Sequence, residues 1–315
     1  MITRRLLLSS LALAPGFTPL ALAQAPAPAA AGPMPVVATF SILADLVRAI
    51  GAERVAVTSL VGVDSDAHAY APSPADARTI AGAKLVFVNG LGFEGWINRL
   101  IRSSGTRAKV ITASTGVVAL KAEDDHGHGH GHGHGHSHGE NDPHAWQNAL
   151  FVKTYVRTIR DALVAADPAG AALFTGNAAA YSASLDALDA EIKAAVARIP
   201  AERRRILTTH DAFQYFQKAY GIAFVALRGV ASDAEPSARD LGQIIRQIKQ
   251  GRITAIFMEN ITDPRAMQRI ASETGVRVGG KLYSDALSAA DGPASTYLDM
   301  MRHNIGQISG ALAQA

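Results

Sequence analysis

The chain has 315 residues, enough for about two domains with packed cores, and its 48% hydrophobic and 18% charged content excludes a disordered, collagen-like or coiled-coil protein. Its 30 basic and 27 acidic residues nearly cancel to a formal +3, which leaves no basic footprint for a nucleic acid. There is no cysteine, so disulfides, thiolate zinc sites, iron–sulfur clusters, a thiol nucleophile and cysteine lipidation are excluded, and any metal must be held by histidine and carboxylate.

In chain order, Arg4 and Arg5 precede an apolar stretch from Leu6 to Leu22 that ends in Ala21-Leu22-Ala23, a small-x-small cleavage signal. Pro15, Gly16 and Pro19 interrupt this stretch, which is also short for a bilayer span, so residues 1–23 are predicted to be a cleaved export signal and the protein to be periplasmic. The paired arginines suit either the twin-arginine or the general secretory route. Residues 24–35 are Ala, Pro and Gly almost throughout and read as a flexible spacer.

From Val36 to Ile111, short β-branched runs at 36–39, 55–60, 85–88 and 110–111 alternate with amphipathic stretches at 42–50, 74–81 and 94–103, the pattern of a parallel sheet covered by helices. The rhythm returns after residue 200, with strands expected at 205–209, 224–227, 255–258 and 276–282 and helices at 213–220, 237–250 and 264–274. The fold class is therefore α/β with two lobes, 36–166 and 201–315. Between them Asp167-Pro168 opens an Ala-rich stretch with no proline until Pro200, predicted as a rigid connector over 167–200 whose single helix, 168–199, would be about 48 Å long at 1.5 Å per residue. Gly170 and Gly176 weaken its first turns. Such a connector implies small opening movements rather than a wide hinge.

Within 123–141, His126, His128, His130, His132, His134, His136 and His138 alternate mainly with glycine. Interleaved glycine disfavours a strand, so this reads as a loop whose imidazoles capture Zn²⁺, Cu²⁺ or Ni²⁺ weakly and in many geometries, with a solubilising spacer as the plainer reading. It offers no fixed coordination and is not the principal site. Outside it, His68 lies in the loop after the 55–60 strand, His144 just before a helix beginning near Asn148, His210 directly after the 205–209 strand and Asp285 after the 276–282 strand. Open α/β sheets gather ligands beyond the carboxyl ends of their strands, so two side chains from each lobe can meet there. Three imidazoles and one carboxylate would satisfy a tetrahedral divalent ion. Taken singly, each has a plain alternative: the histidines as surface groups, Asp285 as the cap of a helix near Ala286. His303, in the helix expected at 295–312, reads as a surface or interface residue.

Five segments carry a resemblance: DAHAYAPSPAD at 66–76, LVFVNGLGFEGW at 85–96, DPHAW at 142–146, THDAFQYFQKAY at 209–220, and 256–275 running on into LYSDALS. Together they resemble the metal receptors of zinc and manganese ABC importers, the cluster A-I solute-binding proteins, and are similar above all to the zinc receptors of the ZnuA and AztC type. The resemblance implies two (β/α) lobes, a rigid connecting helix, a buried metal between them, and an inner-membrane ABC permease as partner. It implies His68, His144, His210 and Asp285 as ligands, and a histidine-rich loop before the second ligand as a zinc-receptor trait. Manganese members resemble the same scaffold with a carboxylate in place of His210, so the implied cargo is Zn²⁺, with a manganese or broad divalent-metal receptor, or an uncoupled periplasmic zinc buffer, as alternatives. A periplasmic metallochaperone is a possible further partner, and the protein is expected to act as a monomer.

Other polar residues carry weaker expectations. Asp211 orients an imidazole or caps the helix near Ala212; Glu259 lines the crevice rather than ligating; Asp64, Asp66 and Asp142 form turns. An enzyme is not expected. The chain has no His-Glu-x-x-His, phosphate loop, dinucleotide fingerprint or Gly-x-Ser-x-Gly elbow, and a fourth ligand at Asp285 leaves no coordination position for an activated water.

Overall fold

The computed structural model describes residues 32–122, 140–228 and 238–313. The expected export signal at 1–23, most of the expected spacer and all seven histidines of the tract lie outside the described residues. The spacer ends earlier than expected, because Met34 and Pro35 already pair as the start of the first strand.

The first lobe alternates β1 (Met34–Ala38), α1 (Ser41–Gly51), β2 (Val55–Ser59), α2 (Pro74–Ala81), β3 (Leu85–Val88), α3 (Ile97–Ser104) and β4 (Lys109–Thr112). After α4 (Ala149–Ala166) and α5 (Ala171–Ala197) come β5 (Arg205–His210), α6 (Gln214–Tyr220), β6 (Ala223–Arg228), α7 (Ala238–Lys249), β7 (Ala255–Glu259), α8 (Arg265–Thr274), β8 (Arg277–Leu282) and α9 (Tyr297–Ala313). Two four-stranded parallel sheets result, ordered β2-β1-β3-β4 and β6-β5-β7-β8. In each, the order reverses between the first and third strands of the lobe, which opens a crevice beyond their carboxyl ends.

Local chemistry sets the element ends. Ser73 and Asp76 form a reciprocal capping box on α2 with Pro74 at its first position, and the Asn148 side chain accepts from the Leu150 N–H at the start of α4. Gly105, Gly221 and Gly275 take φ of +61°, +77° and +68° just past α3, α6 and α8, the left-handed stop that glycine adopts without strain. The connector differs from the single helix expected over 168–199: Pro168–Gly170 winds as a 3-10 turn before α5 begins. Asp167 is held by Arg54 at 2.6 and 2.9 Å, and a Cβ on Gly170 would come within 2.6 Å of Arg54 and Phe174, so this tight turn needs glycine.

Each sheet packs an outer cluster under its own helices, Val37, Ile80, Val86 and Leu100 in the first lobe and Leu207, Ile244, Ile256 and Ile270 in the second. The main core is shared. It runs from Phe40, Phe93 and Trp146 through Tyr155, Phe174 and Leu188 to Phe216, Phe257, Tyr297 and Met301 without a break. Because α1, α4, α5 and α9 bury this continuous apolar mass, separating the lobes would expose large aromatic side chains.

Candidate metal centre

His144 stands in Asp142-Pro143-His144, where the backbone turns from the first sheet into a 3-10 turn (Ala145–Gln147) that leads to α4. Asp142 Oδ1 accepts from the His144 backbone N–H at 2.9 Å and lies 2.7 Å from ring Nδ1. The turn-forming role expected of Asp142 is therefore joined by a second: it engages Nδ1 and turns Nε2 towards the crevice. Asn89, just beyond β3, donates to the Pro143 carbonyl at 3.0 Å and accepts from Tyr155 Oη at 2.7 Å, and Tyr215 Oη donates to the Asp142 carbonyl at 2.9 Å.

His210 is the last residue of β5, one position inside the strand rather than just after it. Glu259 closes the adjacent β7. Its Oε1 accepts from the Thr209 and His210 N–H groups at 2.7 and 2.9 Å, and its Oε2 lies 2.6 Å from His210 Nδ1 as a charge contact without full hydrogen-bond alignment. Glu259 therefore backs the imidazole from behind. The orienting role considered for Asp211 belongs to Glu259, while Asp211 accepts from the Gln214 side chain at 2.8 Å.

His68 lies in the loop after β2, where Asp66 Oδ1 accepts from its N–H at 2.8 Å, Trp96 Nε1 donates to the Ala67 carbonyl at 2.9 Å, and the ring meets the face of Phe93 edge-on at 4.6 Å. Asp285 follows β8 in a turn. Both Trp146 Nε1 and Gln147 Nε2 donate to the carbonyl of the preceding Ser284 at 2.9 Å, so the segment that carries His144 also grips the segment that carries Asp285. No helix begins near Ala286; α9 starts only at Tyr297, which leaves Asp285 without the capping role considered for it.

One ligand atom from each of His68, His144, His210 and Asp285 lies within 4.8 Å of all the others. His68 Nε2 is 3.2 Å from His144 Nε2 and 3.3 Å from Asp285 Oδ2; His210 Nε2 is 3.1 Å from Asp285 Oδ2, and His144 Nε2 is 3.6 Å from Asp285 Oδ1. Donors about 2.0–2.1 Å from a tetrahedral ion lie about 3.3 Å from one another, so the four contacts, although shared between the two Asp285 oxygens, fall in the range that neighbouring donors around one ion occupy. Three of the four side chains are fully buried and His68 is 8% exposed. Asp285 Oδ1 is buried with no hydrogen-bond donor, and an ionised oxygen so placed calls for a cation. His303 stays apart on α9, with Nε2 3.0 Å from the Lys281 carbonyl.

The charges at the centre are strongly coupled. Burial works against the charge on Asp285, yet the His144 and His210 imidazoles hold its carboxyl well below the usual range. Burial likewise opposes protonation of His144, but Asp285 and Asp142 overcome it and push the ring up to about 9; for His210, Glu259 and Asp285 overcome burial and raise it well above 6.5. His68 goes the other way, since burial outweighs Asp285 and lowers it. A dication would replace the protons that Asp285 otherwise attracts.

The convergence of the four side chains was legible from residue type and from their places after strands or before a helix; Glu259 and Asp142 as neighbours of the imidazoles were not. The local spacing Asp-x-His was the one available signal for Asp142. For Glu259, 49 residues from His210, no local signal existed.

The family described as zinc-uptake complex component A, periplasmic, matches residues 36–311. The manganese-binding lipoprotein MntA of Halalkalibacterium halodurans is 33% identical over 279 residues, covering 89% of this chain and 88% of its own. Among solved structures, the periplasmic zinc-binding protein TroA of Treponema pallidum superposes with a TM-score of 0.81 at 30% identity, covering 90% of this chain and 100% of that one. The manganese-bound periplasmic metal-binding protein of Candidatus Liberibacter asiaticus gives 0.76 at 30% identity, with 88% and 98% coverage.

Proposed function

The chain belongs to the zinc-uptake complex component A family, a class of metal-binding receptors of ABC transporters, and from that premise we propose that it captures Zn²⁺ and delivers it to an inner-membrane ABC permease. The observation that carries the choice of metal is the donor set: three imidazole nitrogens and one carboxylate, gathered within 4.8 Å of one another. Imidazole-rich tetrahedral sites suit zinc, whereas manganese prefers more oxygen donors and higher coordination. His68, His144, His210 and Asp285 are the proposed ligands, with Asp142 and Glu259 orienting two of the rings. The zinc is cargo, and no reaction is assigned to the site.

The remaining assignments follow from the same reading. Residues 1–23 would direct export, 24–35 would tether, 36–166 and 201–315 would form the lobes, and the segment 167–200 would hold them together. The histidines at 126–138 would supply weak capture sites that feed the centre. A periplasmic location is supported by the family description and by the periplasmic names of the solved relatives. A second reading, a manganese receptor, is favoured by the names of several curated relatives, MntA and three PsaA lipoproteins among them, and by a manganese-bound solved structure.

Competition binding of Zn²⁺ against Mn²⁺ separates the two, performed on the full mature chain and on His210→Glu. The zinc reading expects one tight zinc site with manganese displaced in the parent protein, and a shift towards manganese in the variant. Manganese outcompeting zinc on the parent chain would overturn it.

A further inference from the structure

Three proposed ligands are sealed from solvent, and only His68 retains some exposure, so an ion reaches or leaves the centre past the loop at 61–70 that carries His68. Within the first lobe that loop is tied by Trp96 to Ala67. Across the crevice it is tied by Asp64, whose N–H donates to the Leu287 carbonyl at 2.9 Å and whose Oδ1 accepts from Asn260 Nδ2 at 3.0 Å. The same Asn260 Nδ2 lies 3.2 Å from the carbonyl of Ala286, next to Asp285, and Asn260 directly follows Glu259 at the end of β7. Asp64 holds its place at φ +49°, a left-handed conformation that aspartate tolerates better than most residues.

We propose that Asn260 is a positioning residue that sets the rate of metal exchange, its amide clasping the His68 loop of one lobe to the Asp285 turn of the other. The proposal rests on the metal-receptor reading of this centre. Asn260 touches none of the four donors; its two acceptors lie in the two segments that must part for an ion to pass. Losing the clasp therefore lowers the barrier to loop opening more than it changes the ligands. Asparagine suits the role because its amide nitrogen has two protons, one for each acceptor, and carries no charge beside the cation.

The test is stopped-flow release of Zn²⁺ into excess EDTA from the full mature chain and from Asn260→Ala, Asp64→Ala and the double variant, with zinc stoichiometry and melting temperature measured alongside. Asp64 is exposed, so its truncation leaves the folded core intact. Each single variant is expected to release zinc about fivefold faster with one zinc still bound per chain, and the double variant little faster than either single one, because both remove one shared contact. Release within twofold of the parent in both single variants overturns the proposal. So does loss of stoichiometry in Asn260→Ala alone, which would make Asn260 a structural residue. Failure of the parent chain itself to bind one zinc tightly would instead defeat the receptor reading, and that is read out before any variant is compared.

Discussion

Both lobes plug their crevice with a buried glutamate, yet the two glutamates work differently. In the first lobe Glu94 Oε1 accepts from Thr39 Oγ1 at 2.5 Å and from the Asn89 N–H at 2.6 Å, and Oε2 accepts from the Gly90 N–H at 3.2 Å; its partners are scaffold alone. In the second lobe Glu259 also receives two backbone N–H groups, but its other oxygen faces the His210 imidazole. The residue at the end of the first strand makes the difference: a hydroxyl in one lobe, a hydroxyl-bearing residue followed by histidine in the other. One carboxylate thus serves as a strut, and its counterpart orients a ligand and raises that ligand's proton affinity. The first lobe reaches the centre instead with its loop residues His68 and His144, so Glu94 has no imidazole to orient.

This contrast is open to graded tests. Removing a donor sets the upper end: Asp285→Ala should weaken zinc binding several hundredfold, roughly a quarter of the ~10–16 kcal/mol typical of a four-ligand zinc site, as measured by competition with a chelator of known affinity. The comparison itself is tested by Glu259→Gln against Glu94→Gln. The former should weaken zinc about 10–100-fold through the misoriented ring, the latter by less than about threefold. Equal losses would show that both glutamates act on folding alone.

Proton competition supplies the next test. With His144 raised to about 9 and His210 raised beside it, zinc must displace protons at neutral pH, so apparent affinity should rise about tenfold per pH unit for each imidazole still protonated, the His144 contribution levelling off near pH 9. The metal-free fold should show the opposite trend. A raised imidazole contributes stability that is fully present below pH 6.5 and is lost as pH climbs through about 9, so the increase in melting temperature on adding zinc should grow across that window. A zinc-induced increase that is flat from pH 6.5 to 9 would contradict the coupling of the rings to Asp285, Asp142 and Glu259.

The smallest binding effect belongs to the strut. Thr39→Val leaves Glu94, already raised by burial, without its hydroxyl donor and should lower stability by about 1–3 kcal/mol in denaturant melts while zinc affinity changes by less than about twofold. A large loss of affinity would mean that the first-lobe crevice feeds the metal centre more directly than the scaffold role allows.

Much of this molecule can be read from particular residues. Leu85 to Val88 and Pro74 to Ala81 match the expected strand and helix to the residue, because a fully apolar four-residue run and a Ser-Pro-x-Asp cap are complete local signals. The start of α3 was set three residues early, at Glu94, because that carboxylate turns back to the β3 end instead of facing solvent on a first helical turn. The connector was drawn as one helix because its alanines mask the 3-10 turn that Arg54, 113 residues upstream of Asp167, helps to fix.

The sequence by itself determined the alternation of strands and helices and the chemical types of the four candidate ligands, and it placed three of them after strands and His144 before a helix, since propensity, capping and hydrophobic period act over a few residues. Only the tertiary structure decided which carboxylate stands behind which ring, that Trp146 and Gln147 grip Ser284, and that one continuous core locks the lobes together. These are contacts between residues up to 138 positions apart, and they exist because the sheet order sets β5 beside β7 and packing sets one lobe against the other.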